Sequence, residues 1–190
     1  MLYNDQSVLE NMHAAACFET MRRPGHDLLE HVTPSEYRQM RKSIIRAILA
    51  TDMHNHAAIV TQLHEKLKVD VFNAEDELHK ELLLNALVHA ADISGPALAE
   101  KLHIKWSLQL LQEFNMQYEE EVALGLTPTP YMNAQPGSPE LGKLNLAFID
   151  SCVFPLWSIL HTFLDGLEPS LDNIQRNRGV WLEMIQNAAS

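Results

Sequence analysis

Two acidic residues and a histidine stand where the sequence could do chemistry. His89 and Asp92 are three residues apart in the segment Leu87-Val88-His89-Ala90-Ala91-Asp92-Ile93-Ser94, a spacing that sets both on one face of a helix. The segment is otherwise apolar, and Asp92 falls near its end, where the helix dipole favours cations over carboxylates. A metal ion would offset that placement, and so would solvation or a hydrogen bond from a loop amide. The spacing alone leaves these readings open. Glu10 stands three residues after Ser7, the separation of a capping box that would occupy its carboxylate at a helix N-terminus. His54-Asn55-His56 forms a second histidine cluster, but histidines two apart do not share a helical face. Ten histidines in 190 residues raise the expectation of metal chemistry.

The elements that must position these residues read as helices almost throughout. Asp5 or Ser7 can cap a first helix running to about Arg23, which Pro24-Gly25 ends. Thr33-Pro34-Ser35-Glu36 is a strong helix start, with a capping hydroxyl, proline at the first helical position and glutamate at the third. Tyr37, Met40, Ile44, Ile45, Ile48 and Leu49 follow on one face. Further helices are predicted over 55–68 and from an Asn73 cap to a stop at Ser94-Gly95-Pro96, the latter with Leu78, Leu82, Ala86 and His89 on one face. Others follow over 97–124, from Ser138 with a kink at Pro155, and over 170–188 beyond Gly166 and Pro169. Thr127 to Gly137 is the one clear loop. The pattern predicts an all-α bundle of seven or eight helices.

Composition narrows the partners. Asp and Glu outnumber Lys and Arg by 25 to 14, a formal charge of −11, which argues against a nucleic-acid binder. Small anions stay open, because a metal ion or a helix N-terminus holds phosphate locally. Apolar residues at 46% suffice for a core. Two cysteines far apart, Cys17 and Cys152, suggest a reducing compartment and a cytoplasmic location. No secretory signal is expected over Met1 to Arg23. The most apolar stretch, Leu144 to Leu164, is broken by Asn145, Asp150, Pro155 and His161 and is expected as a buried helix rather than a membrane span.

His89-Ala90-Ala91-Asp92-Ile93-Ser94 resembles the second aspartate motif of class I 3′,5′-cyclic-nucleotide phosphodiesterases. The opening Tyr3-Asn4-Asp5-Gln6-Ser7-Val8-Leu9-Glu10-Asn11-Met12-His13 is similar to a segment close behind that family's histidine-aspartate metal motif. Leu49-Ala50-Thr51-Asp52-Met53 resembles another family stretch, and Phe148-Ile149-Asp150 with Phe154-Pro155-Leu156-Trp157 looks like the helix of its base-binding clamp. Four stretches in the right order span essentially the whole chain. The resemblance implies an all-α fold and hydrolysis of cAMP or cGMP to the 5′-monophosphate. It implies two divalent metals, zinc with magnesium or manganese, activating a bridging hydroxide.

Residue by residue, the resemblance makes Asp92 a ligand of the tighter-bound metal and places Glu10 beside the metal-bound waters. Thr51 and Met53 fall beside the metal pocket, with Met53 expected to bind substrate. Phe148 would stack on the purine, with Ile93, Leu110 and Phe114 on the pocket wall and Trp106 in structural packing. Asn145 stands where the family carries a purine-reading glutamine, three positions before the stacking phenylalanine. Asparagine offers the same amide on a side chain one methylene shorter. Gly95 and the 127–137 loop also depart from the pattern. The family's His-Asn-x-x-His and His-Asp motifs are not found, leaving Asp92 alone of four protein ligands, whereas catalytic zinc sites use about three. Residues 1–190 are therefore expected to be a partial catalytic domain, with the N-terminal helical half as its missing partner, apolar surface exposed, and no activity alone. A homodimer is possible. The alternative is a non-catalytic binding or scaffold module.

Overall fold

A computed structural model of the chain describes residues 2–68, 72–73 and 75–188. Its described residues form eight α-helices and no strand, in keeping with the expected all-α class. They fall into two compact units, residues 1–92 and 93–190. The first carries α1 (Val8–Met21), α2 (Pro34–Leu49), α3 (His56–Lys68) and α4 (Glu77–Asp92). The second carries α5 (Glu100–Ala123), α6 (Pro139–Phe148), α7 (Phe154–His161) and α8 (Glu168–Asn187).

In the first unit α2 starts as its sequence predicts. The Thr33 side chain accepts from the Glu36 amide, the Glu36 carboxylate accepts from the Thr33 amide, and Pro34 opens the helix. The apolar face of α2 is only half-buried. Met40 is exposed, and Ala47 is the one buried residue of the helix. α1 packs against α2, and Arg41 lies over the ring of buried Phe18 at 4.0 Å, a cation–π contact. α4 begins later than predicted. Asp76, not Asn73, caps it, accepting from the amides of Leu78 and His79; Asn73 closes a tighter turn by accepting from the Glu75 amide. Of the predicted α4 face, Ala86 and His89 are buried, while Leu78 in the first turn is exposed.

In the second unit α6 and α8 pack closely because Gly142 carries no side chain. A Cβ there would come within 2.9 Å of Ile185 Cγ1 and 3.2 Å of the Trp181 carbonyl oxygen. Ser138 caps α6 through the Leu141 amide. The predicted kink takes the form of a π-helical turn over Ile149–Val153. Pro155 has no N–H for the carbonyl four residues back, and the preceding Phe154 amide bonds five residues back to Ile149. By length and composition Pro139–His161 could cross a membrane; Leu141, Ile149, Val153, Leu156 and Leu160 are buried, but only 22% of its apolar window is, less than the buried helix expected from the sequence. Pro169 does not separate elements as expected but sits in the first turn of α8, where proline is tolerated. Asn177, fully buried on α8, donates to the carbonyls of Pro96 and Leu98, and Asn173 donates to Ala97. These bonds hold the short 3₁₀ turn Gly95–Ala97 that follows Ile93.

Candidate active site

Asp92 is the last residue of α4, exposed, with no hydrogen bond or ion pair among the described residues. A carboxylate at a helix C-terminus without a partner is unfavourable, and the structure supplies no loop amide to offset it. One turn back on α4, His89 is wholly buried, and its Nε2 lies 2.9 Å from Nδ1 of buried His56. Only one proton fits between two ring nitrogens at that distance. Burial pushes His89 below the usual histidine range, and the neighbouring His56 adds to the push. Asp92 and the Thr51 backbone act the other way. Burial also lowers His56. The three residues His54-Asn55-His56 diverge as their spacing predicts: His54 lies exposed in a 3₁₀ turn, while His56 opens α3 and turns inward.

Glu10 sits half-buried in the first turn of α1 without a hydrogen bond or ion pair among the described residues. The capping box predicted for it does not form. Ser7 lies in the left-handed region at φ 42°, which keeps its hydroxyl from the Glu10 amide. That hydroxyl instead donates to Asp52 Oδ2 at 2.7 Å. Asn4 and Asp5 also have positive φ, 53° and 57°, so the turn before α1 holds three residues in a conformation that costs about 1–3 kcal/mol each. Composition gave no signal for this strain. Asp52 accepts from the His54 amide and from Ser7, and both bonds hold its carboxyl below the usual range. Ser7 and Asp52 thus join the stretch that bears Glu10 to the one that bears Thr51 and Met53. Thr51 donates to the Ile48 carbonyl, and Met53 is exposed.

The residues assigned to the base lie in the second unit. Phe148 ends α6, half-buried, one residue before the π-helical turn; such turns recur at functional sites. Ile93 is buried. Leu110 is exposed, and Phe114, one turn on, meets Tyr131 edge-on at 6.1 Å. Trp106 is not packed as predicted. It is 58% exposed, in an i, i+4 stripe with Leu102 and Leu110 at 50% and 49%. Asn145 Oδ1 accepts from Ser107 at 2.6 Å, and its Nδ2 donates to the Leu141 carbonyl at 3.0 Å. A cavity of about 310 Å³ beside Arg46, Glu81 and Asn85, and one of about 480 Å³ beside Tyr131, Lys143 and Leu144, contain none of the predicted site residues.

Of the residues singled out in the sequence, Glu10, Met53 and Asp92 therefore fall in the first unit, and Ile93, Leu110, Phe114, Asn145 and Phe148 in the second. The described residues contain no group of three or more His, Cys, Asp or Glu able to hold a metal ion. A lone carboxylate does not make a zinc site, so the described residues do not by themselves fit the implied metals.

Comparison with known proteins defines the class. The 3′5′-cyclic nucleotide phosphodiesterase family pattern matches residues 1–174, and the chain belongs to that family. It is 34% identical over 194 aligned residues to the probable 3′,5′-cyclic phosphodiesterase pde-3 of Caenorhabditis elegans, covering 98% of this chain and 28% of the relative. It is 38% identical over 158 residues to the human cGMP-inhibited 3′,5′-cyclic phosphodiesterase 3A, covering 82% of this chain and 14% of that one. The phosphodiesterase domain of the RhoPDE fusion protein from the choanoflagellate Salpingoeca rosetta superposes with a TM-score of 0.92 at 31% identity, covering 99% of this chain and 60% of that chain. The chain thus spans well under a third of these two curated relatives.

Proposed function

We propose that these residues form the C-terminal part of a 3′,5′-cyclic-nucleotide phosphodiesterase catalytic domain, hydrolysing cAMP, cGMP or both to the 5′-monophosphate. The observation that carries this reading is Asp92: an exposed, unpartnered carboxylate at a helix end, in a chain of this family. Divalent metals, zinc with magnesium or manganese, would supply the activated water and the charge that neutralises the phosphate. Asp92 would be this chain's contribution to holding them. Glu10 lies on the helix that follows Ser7, whose hydroxyl bonds Asp52, and would orient water. Phe148, Ile93, Leu110 and Phe114 offer apolar contact to a base. With no ligand cluster among the described residues, catalysis draws on polypeptide beyond these 190 residues. Two free cysteines suit the reducing cytoplasm.

The isolated chain is expected to hydrolyse neither cAMP nor cGMP above background, with or without added zinc and magnesium. Protein extended by the family's N-terminal half should release the 5′-monophosphate and lose that activity to a chelator. Metal-dependent turnover by the 190 residues alone would overturn the division of labour. An inert extended protein would favour a non-catalytic binding module, the second reading, which the missing ligand cluster supports.

A further inference from the structure

We propose that Thr127 is a phosphorylation site for a kinase that selects proline after the acceptor, and that the phosphate loosens the C-terminal end of α5. The loop beyond α5 and the start of α6 carry three such dipeptides, Thr127-Pro128, Thr129-Pro130 and Ser138-Pro139. Their surroundings separate them. The Ser138 hydroxyl oxygen accepts from the Leu141 amide as the cap of α6, and Gly137 before it holds a left-handed turn at φ 76°. Thr129 is half-buried, and its carbonyl accepts from the Met132 amide at 3.0 Å to open a 3₁₀ turn. Thr127 is exposed, outside any helix, and its side chain makes no hydrogen bond among the described residues. The proline after it favours an extended backbone.

Access by a modifying enzyme is decided by the burial and hydrogen bonding of the backbone it must take. Neither Thr127 nor Pro128 makes a backbone hydrogen bond among the described residues, so presenting Thr127 breaks none. In the transfer, Thr127 Oγ1 attacks the γ-phosphorus of ATP and the bond to the bridging β-phosphate oxygen breaks. ADP leaves, and the hydroxyl proton passes to the kinase's carboxylate base. The consequence follows from the helix end next to it. Gly125, at φ 72°, donates its amide to the Val122 carbonyl at 3.0 Å, and the Leu126 amide donates to the Glu121 carbonyl at 2.9 Å. These are the two bonds of a Schellman motif. The last turn of α5 has no basic residue, and Glu119, Glu120 and Glu121 crowd that end. A phosphate of about −1.5 to −2 charge, one residue beyond Leu126, meets like charge and the negative end of the helix dipole.

Folded chain incubated with a purified mitogen-activated protein kinase and Mg²⁺-ATP tests the site, with the phosphate mapped by tandem mass spectrometry. Thr127 should carry it; Thr127→Val should abolish incorporation, and Thr129→Val should keep it. The folded chain should react within about tenfold of the rate of a free peptide spanning 121–133, an opening cost below about 1.4 kcal/mol. No incorporation, incorporation at Thr129 or Ser138 in place of Thr127, or a folded chain slower than that limit overturns the site. Amide exchange by NMR tests the consequence. In the phosphorylated chain Leu126 should exchange at least about threefold faster, and high salt should shrink the difference. Unchanged or slower exchange at Leu126, or a difference that salt leaves untouched, contradicts the loosening by repulsion.

Discussion

Buried histidines give this protein a pH dependence that follows from single side chains. His103 accepts from the Trp181 indole N–H at 2.8 Å through Nε2, and its Nδ1 lies 3.2 Å from the Gly95 carbonyl oxygen. That pattern requires the neutral ring with its proton on Nδ1. Burial holds His103, His56 and His89 below the usual range, and the Gly95 carbonyl only partly offsets this for His103. The unfolded chain therefore takes up protons first as pH falls through about 6.5, and stability is lost from there downward. Each histidine kept neutral contributes a slope of up to about 1.4 kcal/mol per pH unit in that window. Urea unfolding between pH 7.5 and 5 should show the decline, and His103→Gln should make it shallower by about one proton. A pH-independent midpoint would contradict the neutral assignment. The His89–Asp92 spacing was legible in the sequence. The His56–His89 pair was not, because it joins residues 33 positions apart on two helices and no local pattern encodes that contact.

At the scale of elements, the sequence was most readable where local chemistry decides. Thr33-Pro34-Ser35-Glu36 folds into the capping box it spells, and Ser138 starts α6. It was least readable where tertiary contacts override the same rules. Ser7 and Glu10 have capping-box spacing, yet the Ser7 hydroxyl goes to Asp52, 45 residues away. Trp106 looked like packing, yet α5 turns it outward with Leu102 and Leu110. Close packing of α6 on α8 depends on Gly142, a residue that the sequence does not mark. Gly142→Ala should destabilise the chain by about 1–3 kcal/mol through overpacking against Ile185 and the Trp181 carbonyl. Chemical denaturation checks this, and a stabilised variant would show that the helices separate freely.

For the whole molecule, class and family were legible because four motifs stand in order along one chain, and the family match over residues 1–174 agrees with them. What no single motif conveyed is how the roles divide. Glu10 and Asp92 belong to one compact unit and Asn145 and Phe148 to the other, and the described residues assemble no metal-ligand cluster. The role proposed for Asp92 is therefore one that its own surroundings do not use. Among the described residues Asp92 makes no hydrogen bond, and it is exposed, so replacing it should cost the fold nothing, and removing a negative charge from a helix C-terminus is mildly favourable. The most direct test replaces Asp92 with Asn in protein extended by the family's N-terminal half, measuring cyclic-nucleotide hydrolysis and melting temperature together. The account predicts that hydrolysis falls at least about a thousandfold, more than 4 kcal/mol, with melting unchanged or slightly raised. Retained hydrolysis, or a loss of activity that merely tracks unfolding, would contradict it.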